Sequence, residues 1–359
     1  MDEAVVQWWD GGAEPGAYMM KMARQVDGTL LAKVASVFRI NEGGGLWLPP
    51  KLTDEEVTNA SEFKAVLHEE DGLLKGEWSS TAGRNGEVTL RPMETTEELV
   101  PDECSTWNEF KRWASRVRDE FDTIYFRGHG SNHFPLKTSL HRMGRHRVER
   151  YCSDTLWDFR AHAEAILGLS FDMANANDYS MLLGLAQHHG LPSPLLDWTN
   201  SPYIAAFFAF SDAIESKTIR PDATHVRVYA LTREFVISSS NARVTLPYHS
   251  PYVSTLTIGG RNNPRLYAQQ GQFLVTNVAE LERFLCSMEK NSGRKILAAA
   301  DVPVDCASEA LEDLKFMGLT AASLFPGLDG VGQMLRHQMS FKRKAEPVPG
   351  MPSLGTEKS

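Results

Sequence analysis

The sequence predicts an α+β protein in two parts: a small antiparallel β module at the N-terminus, then a larger mixed α+β domain. Three observations carry this reading. Strand-like runs separated by a Gly-Asn turn dominate residues 1–95. Residues 105 onward open with a capped amphipathic helix. After that helix come mixed strands and helices, then clustered strands, an order that favours α+β over a doubly wound sheet. A length of 359 residues suits about two domains.

In the first module, residues 29–40 are strand-like, and 63–67 and 73–78 are short apolar-containing runs. Gly83-Arg84-Asn85-Gly86 forms a turn, because Asn and Gly tolerate positive φ, and Val88-Thr89-Leu90 returns antiparallel. Trp8, Trp9, Trp47 and Trp78 are packing candidates; exposed, they would make this module a surface for a regulatory protein partner. Residues 96–104, acidic and containing Pro101, read as a linker. Thr106 and Glu109 form a capping box, and Trp107, Phe110, Trp113, Val117 and Phe121 follow at near-helical spacing. Residues 123–127 are a strand ending at Gly128. Helices are expected over 148–167 and 178–189, the second closed by Gly190. Ser201-Pro202 starts another, since Ser caps and Pro fits the first turn. Residues 225–231, 235–239, 271–278 and 294–299 are strand candidates, and 309–317 is helical up to Gly318. The large domain is placed at 105–342, and residues 343–359 read as a disordered tail.

Composition narrows the function. A net charge of -9 offers no global attraction for nucleic acid or acidic membrane. The four cysteines form no C-x-x-C pair and read as free thiols in a reducing compartment. The acidic Met1-Asp2-Glu3 start is unlike a signal peptide, and no apolar run approaches the roughly 20 residues of a membrane span. A cytoplasmic location without membrane partners is expected. The two commonest nucleotide motifs, the H-E-x-x-H zinc helix and the G-x-S-x-G elbow are all missing. Adjacent His188 and His189 diverge on a helix, and the spacing from His129 to His133 is not helical, so no metal site is predicted. Arg142, Arg145, His146, Arg147 and Arg150 are either a phosphate-backbone contact or a solvated helix face.

Three segments can carry chemistry. In Tyr125-Phe126-Arg127-Gly128-His129-Gly130 an apolar strand delivers an arginine to its end, beside glycines that let a backbone or a ligand approach. Arg127 is then an anion clamp, or the partner of an internal carboxylate such as Asp197. The stretch 187–202 is dense in polar groups just ahead of an almost wholly apolar helix, whose N-terminal N–H groups attract anions. Asp197, Thr199, Asn200 and Ser201 cluster there, as ligand-binding groups or as ordinary caps and turns. In the third, Arg265 to Phe273, a strand with glutamines beside Gly271 presents an amide to a ligand or decorates a sheet edge.

Together these segments resemble the FRG-domain family. Its Phe-Arg-Gly motif is Phe126-Arg127-Gly128. Its Gln-His-x-Gly-Leu-Pro-Thr-Arg-Leu-Leu-Asp-Trp-Thr run, with Ser-Pro and an Ala/Phe-rich helix, matches Gln187 to Phe210. Its Arg…Gln-x-Gly-x-Phe matches Arg265, Gln269, Gly271 and Phe273, and Leu324 to Gly330 is similar to its end signature. The family's Thr-Arg is Ser193-Pro194 here, which removes one charge. The pattern is more distantly similar to the ADP-ribosyltransferase fold. That likeness implies NAD as substrate, held by Arg127, Gly128, His189, Thr199 and Ser201, with Gln269, Arg127 and Asp197 as catalytic candidates. Gln269 stands where that fold has its glutamate. The implied activity is ADP-ribosyl transfer to an intracellular protein or nucleic acid, as in a toxin or phage-defence effector. The alternative is a non-catalytic nucleotide-sensing or protein-interaction module.

Overall fold

The computed structural model describes residues 2–8, 16–40, 46–47, 52–80, 83–90, 98–173, 175–215, 222–238, 252–256, 258 and 264–340. Among them are two seven-stranded sheets. The first contains β1 (Asp2–Trp8), β2 (Gly16–Arg24), β3 (Leu30–Ile40), β4 (Leu46–Trp47), β5 (Lys64–Glu70), β6 (Leu73–Ser79) and β7 (Asn85–Leu90), with α1 (Asp54–Glu62) before β5. All its pairings are antiparallel, in the order β1-β2-β3-β5-β6-β7, with β4 on β3. Alternation puts Met20, Met22, Leu30, Ala32, Ala65 and Leu67 on the buried face. The predicted turn closes earlier than its four residues suggest: Gly83 takes φ +70° and Asn85 already belongs to β7. Trp78 stacks on Phe63, ring centroids 5.5 Å apart. Trp9 and the side chains of Trp8 and Trp47 lie outside the described residues.

The second sheet is built from β8 (Asp102–Glu103), β9 (Thr123–His129), β10 (Leu195–Thr199), β11 (His225–Thr232), β12 (Val253–Leu256), β13 (Gly271–Thr276) and β14 (Leu297–Pro303). Its order is β12-β13-β10-β9-β11-β14-β8, antiparallel except for β14 with β8. Around it lie α2 (Trp107–Phe121), α3 (Ser139–Arg142), α4 (Val148–Arg150), α5 (Leu156–Leu167), α6 (Ala176–His188), α7 (Pro202–Glu215) and α8 (Arg233–Ser238). The remaining helices are α9 (Pro264–Ala268), α10 (Leu281–Ser292), α11 (Ala307–Phe316), α12 (Ala321–Leu324) and α13 (Leu328–Ser340). The expected α+β class is what the chain adopts.

One face of this sheet carries two separate apolar clusters. Over β9, β11 and β14, the side chains Phe126, Val228 and Ala300 meet α2, α7 and α11. Over β10, β12 and β13, Leu195, Phe273 and Leu256 meet α5 and α6. The opposite face packs Trp198, Tyr229 and Leu274 against α8 and α10 through Phe235, Leu281 and Leu285.

Several expectations are corrected. Residues 235–239 are not a strand; 233–238 are α8, and Phe235 is fully buried beneath it. Asp102-Glu103, read as linker, add a parallel edge strand to β14. The 148–167 helix is interrupted by a π-helical turn, Tyr151–Thr155. Polar residues 187–200 conceal β10, which pairs along its whole length with β13. Residues 96–97 of the linker and the 343–359 tail lie outside the described residues.

Candidate functional site

The site forms where the second sheet splits. β10 meets β9 at one residue pair, Thr199 with Phe126. Phe126 packs under α7, so alternation sends Arg127 from the other side of the strand, opposite Tyr229 on β11. In the gap, the Arg127 guanidinium supplies the cross-strand bond that the backbone does not make: Nη1 donates to the carbonyl of Asp197 at 2.5 Å. Its Nε donates to His129 Nε2 at 3.0 Å. His129 is thereby defined: Nε2 accepts, so Nδ1 carries the proton and donates to the Phe134 carbonyl, 3.3 Å away. Burial, reinforced by the neighbouring Arg127 charge, pulls the His129 pKa down to about 3, consistent with a neutral ring.

Both recorded partners of the Arg127 side chain are therefore uncharged. Burial lowers its pKa, yet an arginine stays protonated. Among the described residues the guanidinium forms no ion pair, and its remaining N–H groups lie at a cleft of about 270 Å³. Phe126, Arg127, Gly128, Asp197, Trp198, Thr199, Ala205, Phe208, Leu266, Gln269, Gly271, Gln272, Phe273 and Phe325 line it. Trp198 is 3% exposed, and its indole N–H has no acceptor among the described residues. A buried donor without a partner is costly, about 1–3 kcal/mol.

Asp197 is exposed and lines the cleft. The protein crowded around it still pushes its carboxyl pKa up, against the opposing pull of Arg127. Its Oδ1 accepts from Gln187 Nε2 at 2.6 Å, Gln187 Oε1 accepts from the Ser193 hydroxyl, and Ser193 Oγ accepts from the backbone of Leu195. The spacing of Gln187, Ser193 and Asp197 is thus one network that hooks the end of α6 onto β10. Arg127 and Asp197 meet through the Asp197 backbone carbonyl and not as an ion pair.

Arg127, Gly128, Asp197, Thr199 and Gln269 share this one cleft; His189 and Ser201 do not line it. His189 ends α6, and Ser201 Oγ caps α7 by accepting from Ile204 N at 3.3 Å. α7 reaches the cleft through Ala205 and Phe208, its flank and not its N-terminus. The Thr199 hydroxyl is committed on both sides, donating to the Gln269 carbonyl at 2.8 Å and accepting from Ser201 N at 3.2 Å. Gln269 is not on a strand. It sits in the turn between α9 and β13, where Gln270 takes φ +49°, and its Nε2 donates to the Leu324 carbonyl at 3.1 Å. That bond and the contact of Phe325 with Phe208 bring the C-terminal segment in as a wall of the cleft. Gly128 admits a backbone rather than a ligand: a Cβ there would lie 1.9 Å from the Ala205 carbonyl oxygen.

Sequence reasoning gave no role to Trp198 and singled out Gln269, not Gln272, among the glutamines of the third segment. The register pairs Trp198 with Gln272 across β10 and β13, and only strand pairing shows that they sit together. Among the described residues no three His, Cys, Asp or Glu side chains converge as metal ligands. No helix among them is long and apolar enough to cross a membrane.

Fold and cleft together define an α+β domain with a cleft at a split between two strands of its main sheet. Residues 122–218 match the family model of the FRG domain, and the chain carries an FRG domain. Comparisons with curated proteins and with solved structures found no match.

Proposed function

We propose that the FRG cleft binds a nucleotide, NAD by the resemblance above, and that the domain is an ADP-ribosyltransferase-like enzyme. The observation that carries this is the Arg127 guanidinium at the cleft, hydrogen-bonded to neutral acceptors and not closed into an ion pair among the described residues. Beside it, Gln272 lines the same cleft, and its amide adds donors for an anionic ligand full of acceptors. Its roughly 270 Å³ is just under the usual range of ligand pockets, about 300–1,000 Å³, so it suits one nucleoside-sized part of a dinucleotide, with the rest outside.

Cleavage of a nicotinamide–ribose bond builds positive charge on the sugar. Asp197 is the one carboxylate among the lining residues and supplies the opposing charge, a contact typically worth about 3–4 kcal/mol in such sites. Gln269 does not take this role, because its amide already holds Leu324. That same commitment favours a second reading, a nucleotide sensor without turnover.

Two measurements separate these readings. A ligand that binds the native state raises its melting temperature. We expect NAD to do so for the wild-type chain and for Asp197→Asn, but not for Arg127→Ala. Radiolabel transfer from NAD to lysate is expected for wild type and Gln269→Ala, and to be lost in Asp197→Asn. A thermal shift without transfer leaves the sensor; transfer that survives both Arg127→Ala and Asp197→Asn rejects the site.

A further inference from the structure

The last described helix, α13, has its polarity reversed. It turns Gly330, Gln333, Met334 and His337 toward the domain. Met334 packs on the cluster around α7, and His337, 7% exposed, sets its ring 5.9 Å from that of Phe207. Gln333 Nε2 donates to Glu215 Oε1 at 2.9 Å, and His337 Nε2 lies 3.1 Å from the same oxygen. At Gly330 a Cβ would lie 2.0 Å from the Phe325 carbonyl oxygen. The inner face is therefore partly polar and closely fitted. Leu328, Val331, Leu335 and Met339 recur at i, i+3, i+7 and i+11, which at about 100° per residue puts them on one stripe opposite the inner face.

That stripe faces away from the protein. Leu328 is 87% exposed, Val331 39%, Leu335 49% and Met339 84%. A surface helix ordinarily turns its apolar stripe to the core. One exposed leucine needs no cause, but four apolar side chains in line do. Gly332 stands beside them, and a Cβ there would meet nothing within 4 Å, so a second helix can come close at that point. Asp329 and Arg336, both exposed, flank the stripe on the same side, one toward each end.

We propose that this stripe pairs with the same stripe of a second copy of the chain, the two α13 helices running antiparallel across a two-fold axis beside Gly332. Charge complementarity selects both the occupant and the orientation. The axis brings Asp329 of each copy level with Arg336 of the other, on one flank, so the surface complements itself. A parallel pair would set Asp329 against Asp329 instead. About the same axis, the four apolar side chains of one copy alternate along the seam with the four of the other, as knobs between knobs. From Leu328 to Met339 the seam spans about 17 Å at 1.5 Å per residue, a short contact, so the dimer forms reversibly and with rising concentration.

The test is sedimentation equilibrium on the full chain, where we expect a monomer–dimer equilibrium. Leu335→Asp should weaken dimerisation by at least about a hundredfold, because it drives an unpaired carboxylate into the seam. The position is exposed in the single chain, so circular dichroism of the variant should match wild type. Asp329→Arg and Arg336→Asp should each weaken self-association by about tenfold, since each sets like charges against one another twice. Mixed in equal amounts, these two variants should dimerise about as well as wild type, because every facing pair is again opposite in sign. A contact within one chain cannot produce that recovery, and the mixing experiment stands even where Leu335→Asp fails to fold. A chain that stays monomeric at every concentration, a dimer that survives Leu335→Asp, or a mixture of charge variants no more dimeric than its components overturns the proposal.

Discussion

Gly128 lies where β9 crosses α7, close enough that a methyl group would collide with the Ala205 carbonyl oxygen and the Ala209 side chain. The obstacle is helix backbone, which cannot swing aside. Gly128→Ala is expected to destabilise the domain by about 3 kcal/mol, the upper range for overpacking, read as a lowered urea midpoint. Two buried histidines, His129 of β9 and His141 of α3, give a pH signature. Burial holds His129 down to about 3 and His141 to about 4, from an ordinary 6.5. The unfolded chain then binds more protons than the folded one between those values. Stability is therefore full above about pH 6.5 and declines as pH falls, by up to about 1.4 kcal/mol per pH unit for each histidine. Urea titrations from pH 7 to 5 check this. His129→Gln, which keeps an acceptor for Arg127 but has no titrating proton, should flatten the slope. Asp197 has the opposite sign: its raised carboxyl penalises the folded state once ionised, so Asp197→Asn should raise the melting temperature at pH 7.

At the scale of elements, α7 organises the domain. Phe210 is fully buried and meets Trp107 of α2 edge-on, with ring centroids 6.1 Å apart. Phe210→Ala should cost about 3–5 kcal/mol in chemical denaturation, the usual loss for a buried aromatic. α2 begins with the predicted Thr106 cap, whose Oγ1 accepts from Glu109 N at 3.2 Å. The return bond shifts by one residue, since Glu109 Oε2 accepts from Ser105 N rather than from Thr106. α2 and α7 were both legible because caps and apolar periodicity are local signals. β10 was not: Asp197 and Thr199 look like turn residues until β13 offers its edge. α8 was misread for a related reason, since Phe235 and its apolar neighbours suit a strand or a buried helix equally in so short a run.

For the molecule as a whole, the N-terminal cluster and the three clusters of the FRG domain share no residue. Each part buries its own apolar face, so calorimetry is expected to resolve two transitions. Leu67→Ala should lower one of them and Phe210→Ala the other, with little cross-effect between sites that share no partners. A single transition moved by both substitutions would show one cooperative unit instead.

Patterns local in sequence announced the α+β class, the capped helices and the three segments that hold Arg127, Asp197 and Gln269, because caps, turns and periodicity act over a few residues. What those side chains do was decided only by tertiary packing. The split between β9 and β10 turns Arg127 toward the Asp197 carbonyl rather than into an ion pair with its carboxylate, and the Gln269 amide is handed to Leu324. Hydrogen-bond partners 55 and 70 residues apart are chosen by strand register and helix docking, which no short window of sequence contains.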